Sequence, residues 1–399
     1  MTSSNDFRAP APVPVTIVTG FLGAGKTTLL NRLLRDPALA KAVVLINEFG
    51  EIGLDHLLIE KIDNEMVLMS SGCLCCTIRG DLVDSLENLL RRRDNGRIGD
   101  FDRVIIETTG LADPAPVLQT IMSHPYLLMR FRLDGVVTVI DSLNGLGTLE
   151  TYPEAVKQAA VADRLVISKT DLVQSNDQWQ ALTDLRARLN SLNPTATLLE
   201  NVESLDVAHL LEAGLYNPLT KSPDVARWLN AERLFAPAAG TAEGASAPSA
   251  HGHVHDRVEY HSHIHSASDV NRHGESIRAF CLVNEAPLPL SACDLFLEML
   301  RIAHGPNLLR VKGVIALDDD LSRPLVIHGV QHVFHPPVRL EAWPDADHRT
   351  RIVFIVKDLN PLFLEGLYAA FAGQIRIDGA DAQALTANPL KPSLGGLLS

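Results

Sequence analysis

The chain has little that would place it in a membrane, on a nucleic acid or in an oxidising compartment. No apolar run is long enough to span a bilayer. The N-terminus, Met1 to Pro14, is rich in Ser, Ala and Pro and lacks the charged start and apolar core of a signal peptide. Basic residues are in deficit, with 35 Lys and Arg against 48 Asp and Glu and a formal net charge of −13. Such acidity argues against non-specific nucleic-acid binding. Cysteines number only five, and three of them crowd into Cys73, Cys75 and Cys76. An odd, clustered set is a poor disulfide framework and points to a reducing, cytoplasmic setting in which thiols serve metal or redox chemistry. No internal repeat is present.

What is there is a globular composition, 46% hydrophobic and 21% charged over 399 residues, enough for two domains. Short β-branched runs predict strands at Val13–Thr19, Ala42–Asn47, Met66–Met69, Val104–Glu107, Gly135–Asp141, Arg164–Ser168 and Thr195–Leu199. Helical stretches at Thr27–Leu34, Leu82–Arg93, Pro153–Ala162 and Asp177–Leu192 lie between several of them. Strands alternating with helices predict an α/β fold, a mostly parallel sheet with helices on both faces. Residues 1–14 read as a flexible N-terminus and 15–230 as the first domain. Residues 231–275 contain an Ala/Pro/Gly linker and a His-rich arm. Residues 276–379 form a smaller α+β domain, with strands at Ser276–Val283, Leu308–Leu317, Pro324–Val333, Arg351–Val356 and Gln374–Ile377 and helices at Ser291–Ala303 and Leu362–Phe371. Residues 380–399 are a tail.

The run Gly20-Phe-Leu-Gly23-Ala24-Gly25-Lys26-Thr27-Thr28 follows an apolar strand and opens a helix, where a phosphate-binding loop belongs. Its glycines let backbone N–H groups converge on phosphate oxygens, helped by the helix N-terminus. Lys26 would reach the β- and γ-phosphates and the Thr27 hydroxyl would hold Mg²⁺. Glu107 ends a buried strand and can hold the same Mg²⁺, directly or through water, while Gly110 offers an N–H near the γ-phosphate. Leu111 comes next, so no Gln stands beside Gly110 to position a water, and the expectation is slow intrinsic hydrolysis. Ser168-Lys169-Thr170-Asp171 ends another apolar strand. The Asp171 carboxylate can accept from guanine N1 and N2, and the Lys169 stem can lie against the base, so GTP is the expected nucleotide. Ser168 replaces the commoner Asn, which leaves fewer contacts to tie this segment to the phosphate loop.

Thiolates select soft ions such as Zn²⁺. In an extended chain Cys73 and Cys75 face one side and Cys76 the other, so the three converge only if the backbone turns, as Gly72 allows. A fourth ligand must come from elsewhere, with Glu48 first and Asp55 and His56 behind it. Three thiols fit an exchangeable site better than a closed structural zinc. The triplets His251, His253, His255 and His261, His263, His265 alternate along the arm and suit Zn²⁺, Ni²⁺ or Co²⁺ as an auxiliary collecting segment. Cys281 and Cys293 read as core residues.

Together Gly20–Thr28, Asn47-Glu-Phe-Gly50, Gly72–Cys76, Glu107-Thr-Thr-Gly-Leu-Ala-Asp-Pro114 and Ser168–Asp171 resemble the CobW-type family of metal-handling P-loop GTPases, related to the urease and hydrogenase nickel-insertion GTPases. Leu309–Gly313 and His328–Val330 resemble that family's C-terminal domain. The resemblance implies a GTPase domain that binds Zn²⁺, or a similar ion such as Co²⁺ or Ni²⁺, through Cys-x-Cys-Cys and delivers it to a client metalloprotein, as a monomer or homo-oligomer. Some members support cobalamin synthesis or nitrile hydratase activation by inserting cobalt or iron. A zinc store is a rival reading, as is a P-loop kinase or ATPase, against which Asp171 argues.

Overall fold

The computed structural model describes residues 11–47, 66–69, 78–200, 205–211 and 277–374. The first unit is built on a seven-stranded sheet in the order β3-β2-β4-β1-β5-β6-β7, with every pairing parallel. The strands are β1 (Val13–Thr19), β2 (Ala42–Asn47), β3 (Met66–Met69), β4 (Arg103–Thr108), β5 (Phe131–Asp141), β6 (Arg164–Ser168) and β7 (Thr197–Glu200). Between them run α1 (Lys26–Leu33), α2 (Ile78–Asp94), α3 (Ala115–Ser123), α4 (Pro125–Arg130), α5 (Gly145–Thr151), α6 (Pro153–Val161) and α7 (Asn176–Leu192), and α8 (Val207–Leu211) follows β7. Alternate residues of each strand serve opposite faces. Val15, Ile17, Val104 and Ile106 pack with α2 and α3, whereas Val18, Ile105, Val137 and Val139 pack with α1 and α8. Each fully buried aliphatic side chain contributes about 1.5–3 kcal/mol, so the strands at the centre of the sheet are its firmest part.

β5 is longer than the sequence run Gly135–Asp141 indicates. The consecutive β1 residues Val15 and Thr16 pair with Leu133 and Gly135, so Asp134 is the extra residue of a bulge in β5. The Asp134 carboxylate, set loose from the ladder, takes the Arg103 guanidinium at 2.6 Å.

The second unit carries a six-stranded sheet whose pairings are all antiparallel, in the order β11-β10-β9-β13-β8 with β12 also on β10. Its elements are β8 (Ile277–Asn284), α9 (Leu290–His304), β9 (Leu308–Ile315), β10 (Leu325–Val330), β11 (Val333–Phe334), β12 (Val338–Arg339), β13 (Thr350–Lys357) and α10 (Pro361–Phe371). The expected single strand Pro324–Val333 is broken because Gln331 takes φ 52° and reverses the chain into a hairpin that pairs Val330 with Val333. Cys281 and Cys293 are buried, and burial pushes the Cys293 thiol up to about 12.

The two units share core. Ile277, Leu309 and Ile355 of the second sheet pack with side chains of α6 and α7, and Val330 and Val333 join the cluster around α2 and α3. Asp163, 1% exposed, lies in this junction with the Arg310 guanidinium against its carboxylate and the Lys312 ammonium at 2.9 Å. Burial alone would raise the Asp163 carboxyl, but Arg310 and then Lys312 outweigh it and hold it far below the usual carboxylate value. Gln374, the expected start of a strand, instead closes the turn after α10 with its N–H on the Ala369 carbonyl; residues 375–377, the linker and the tail lie outside the described residues.

Candidate nucleotide site

Parallel pairing brings the carboxyl ends of β1, β2, β4, β5 and β6 to one edge of the first sheet, where ligands bind in open α/β folds. β1 delivers the chain into Gly20 at φ +140°, a conformation L side chains rarely adopt. A Cβ there would lie 2.3 Å from the Val139 carbonyl oxygen, so only glycine lets the loop cross β5 so closely. Gly23 and Gly25 also take positive φ, and α1 begins at Lys26. The Lys26 ammonium folds along the loop and donates to the Gly20 and Phe21 carbonyl oxygens at 2.9 and 3.3 Å. Ala24 is buried beneath the loop, Thr27 is half-buried in the first turn of α1, and Thr28 is exposed.

Glu107 is buried at the end of β4, beside β1 in the register Val18–Glu107. The next residue of each strand completes the crossing, the Thr108 hydroxyl donating to the Thr19 hydroxyl at 2.7 Å. A hard divalent cation takes oxygen ligands, and the Thr27 hydroxyl and Glu107 carboxylate are ligands of that kind. Gly110 follows in a segment pressed on the phosphate loop, where a Cβ would lie 2.6 Å from the Leu22 backbone nitrogen. Leu22 and Leu111 are exposed at 59% and 55%, so this crossing shows apolar side chains to solvent.

The end of β6 supplies the other wall. Lys169 takes a left-handed φ of 59°, its ammonium meets the Asp141 carboxylate at 2.6 Å, and Asp171 is exposed in the turn that follows. Burial works to raise the Asp141 carboxyl, but Lys169 together with the Leu143 and Asn144 N–H groups outweighs it and holds it below its usual value. Ser168, expected to tie poorly to the phosphate loop, does tie to it: its hydroxyl lies 2.5 Å from the Ala24 carbonyl oxygen. Sequence reasoning passed over Asp141, although its place at the end of an apolar strand was visible, and over Gln158, which reaches the Gly110 segment from α6.

The metal-ligand candidates Cys73, Cys75, Cys76, Glu48, Asp55 and His56, and the arm histidines His251, His253, His255, His261, His263 and His265, lie outside the described residues. Among the described residues no cluster of three or more His, Cys, Asp or Glu could hold a metal. Among them too, no helix is long and apolar enough to cross a membrane.

A glycine loop between β1 and α1, a buried acid ending the neighbouring strand and a parallel sheet define a P-loop nucleotide-binding protein. Residues 14–200 match the CobW/HypB/UreG nucleotide-binding domain, and residues 277–372 match the cobalamin synthesis protein cobW C-terminal domain. The chain is 30% identical over 362 residues to the zinc chaperone YjiA of Escherichia coli, covering 91% of this chain and 98% of that one. It is likewise 30% identical over 380 residues to the zinc chaperone CobW of Pseudomonas aeruginosa, covering 92% and 91%. The crystal structure of Zn(II)-bound YjiA GTPase from E. coli matches with a TM-score of 0.63 at 26% identity, covering 91% of this chain and 99% of that one. The chain belongs to the CobW family.

Proposed function

We propose that this protein hydrolyses GTP to GDP and phosphate and uses that cycle to hold and release Zn²⁺ at Cys73, Cys75 and Cys76, handing the ion to a client metalloprotein. The observation that carries the reading is the phosphate loop itself. Gly20–Gly25 closes over the end of β1 between Glu107 on one side and Ser168–Asp171 on the other, in a chain similar to zinc chaperones over 91% and 92% of its length. In this reading the N–H groups of Gly23–Thr28 cradle the phosphates, Lys26 neutralises them, and Thr27 with Glu107 holds Mg²⁺. Lys169 and Asp171 select guanine. Glu48 is the fourth zinc ligand, and it follows directly on β2, whose end lies beside that of β4. Nucleotide state and metal occupancy then bias one another through the segments after β2 and β4. With Leu111 rather than Gln after Gly110, hydrolysis by the lone protein is slow and is raised by a partner, the metal or self-association.

Zinc affinity measured with a non-hydrolysable GTP analogue, with GDP and without nucleotide tests the coupling. A change of about tenfold corresponds to roughly 1.4 kcal/mol, and zinc must change GTP affinity by the same factor. Equal zinc affinity in all three states refutes the coupling. Cys75→Ala should lose zinc and keep GTP, and Lys26→Ala the reverse. Competition between GTP and ATP for the wild-type site decides against a kinase or ATPase.

A further inference from the structure

Residues 110–113 are gripped by α6 as well as pressed on the phosphate loop. Gln158 is fully buried there, and both N–H groups of its side-chain amide are used on that segment. They donate to the Gly110 and Ala112 carbonyl oxygens at 3.1 and 3.0 Å. The preceding residue, Lys157, pairs with Asp113 at 3.4 Å. Gln158 is itself pinned to β5, because its backbone carbonyl accepts the Thr138 hydroxyl at 2.8 Å. A flip of the amide would turn its oxygen toward two carbonyl oxygens, so chemistry fixes which end faces the segment. Among the described residues its Oε1 has no hydrogen-bond partner, and Gln158 helps line a cleft of about 230 Å³ with Phe21–Ala24, Val139–Asp141 and Lys169.

A buried amide that leaves one polar atom unpaired is costlier than an apolar side chain of the same volume. Packing alone therefore does not account for a glutamine at this place. The segment it holds meets Leu22 of the phosphate loop at Gly110 and takes the Gln158 donors at its Gly110 and Ala112 carbonyl oxygens. Two residues beyond the end of the same helix, Asp163 is held by Arg310 and Lys312 of the second sheet. Gln158 thus sits on a strut anchored in the second unit, and its head sets the backbone of Gly110–Ala112.

We propose that Gln158 is a positioning residue for hydrolysis: it holds the Gly110–Ala112 backbone where the Gly110 N–H meets the γ-phosphate. The inference rests on the GTPase reading above. Gln158→Met keeps length and volume but removes both donors, and Gln158→Glu keeps the shape while replacing the donating NH₂. In the full-length protein kcat should fall about tenfold, the loss expected when hydrogen bonds that position a reacting segment are removed. GDP affinity should stay close to wild type, because the Gln158 donors serve the segment after Glu107 rather than the Ser168–Asp171 turn, whereas Tm should fall modestly as two carbonyl oxygens lose their donors. Amide hydrogen exchange at residues 110–113 should speed up about tenfold. Variants that hydrolyse GTP at the wild-type rate overturn the proposal. So does a loss of kcat matched by an equal loss in GDP affinity, which would mark general structural support. If the Met variant does not fold, the Glu variant decides. Wild-type protein that fails to hydrolyse GTP would sink the GTPase reading, whereas unchanged exchange at 110–113 in Gln158→Met would sink this inference alone.

Discussion

The Ser168 hydroxyl lies 2.5 Å from the Ala24 carbonyl oxygen and 3.2 Å from that of Ile140, joining the end of β6 to the phosphate loop and to β5. A hydroxyl donates one proton, and the shorter contact takes it. Ala24 immediately precedes Gly25 and Lys26, so the segment expected to read guanine and the loop expected to hold phosphate share one short, buried link. Both halves of a nucleotide would then be fixed relative to each other before it binds.

Replacing Ser168 with Ala removes that donor and leaves the buried Ala24 carbonyl without it, at a cost of about 1 kcal/mol. GTP and GDP affinities should therefore fall together by roughly threefold to tenfold, since the link serves base and phosphates alike. Titration of a fluorescent nucleotide into the variant checks this. Unchanged affinity would show that the two segments are held by their strands alone.

The phosphate loop was legible in the sequence because its chemistry needs contiguous residues between a strand and a helix. The strands of the first sheet were legible for a similar local reason, as short β-branched runs. What stayed hidden depends on residues far apart in the chain: Ser168 meets Ala24, Gln158 meets Gly110, and Asp163 meets Arg310. No local pattern marks such pairs. The short helices α3, α4 and α5 open on Ala115, Pro125 and Gly145 and span too few turns for an apolar period to show. The break between β10 and β11 turns on the φ of Gln331, a residue with no turn preference to advertise it.

Gly110 lies so close to Leu22 that a Cβ would stand 2.6 Å from its backbone nitrogen, and the atom it meets is main chain that cannot swing aside. Gly110→Ala should push the segment away from the phosphate loop. Single-turnover GTP hydrolysis should fall at least tenfold (roughly 1.4 kcal/mol on the barrier). GDP, which has no γ-phosphate to meet Gly110, should bind nearly as before. An equal loss for both nucleotides would place the damage in the loop itself.

Acid should loosen the second unit before carboxylates titrate. His328 is buried opposite Lys312 in the β9–β10 ladder. Burial first, then the Lys312 charge, holds its imidazole well below its usual value. His335 is pushed down to about 4, again chiefly by burial, with Arg310 adding to it. The unfolded chain takes up these protons near pH 6.5 and the folded one only further down. Stability is therefore retained above about pH 6.5 and lost as pH falls toward 4. Each histidine that stays neutral contributes a loss of about 1.4 kcal/mol by pH 5.5, less for the partly exposed His335. Urea unfolding at pH 7.5 and 5.5 measures the difference, and His328→Gln should shrink it. A wild-type profile flat across that interval would contradict the placement of His328.

Asp163 is the one carboxylate shown between Arg310 and Lys312 at the junction of the two units, and all three are nearly devoid of solvent contact. Burial pushes the Lys312 ammonium down to about 8, with Asp163 opposing the fall and Arg310 adding to it. Asp163→Asn takes away the opposing charge and leaves two cations confined together, so it should cost about 3–5 kcal/mol, the range for breaking a buried pair from one side. The Asp163 carboxyl is held far below its usual value, so its contribution is present above about pH 4 and lost only in stronger acid. The variant should therefore be destabilised across the neutral range. Adding Lys312→Met removes one of the stranded charges, and the double variant should recover part of the loss, a coupling that a double-mutant cycle in denaturant reads directly. If the two substitutions simply add, Lys312 draws nothing from Asp163, and the junction is held by its apolar contacts rather than by this charge cluster.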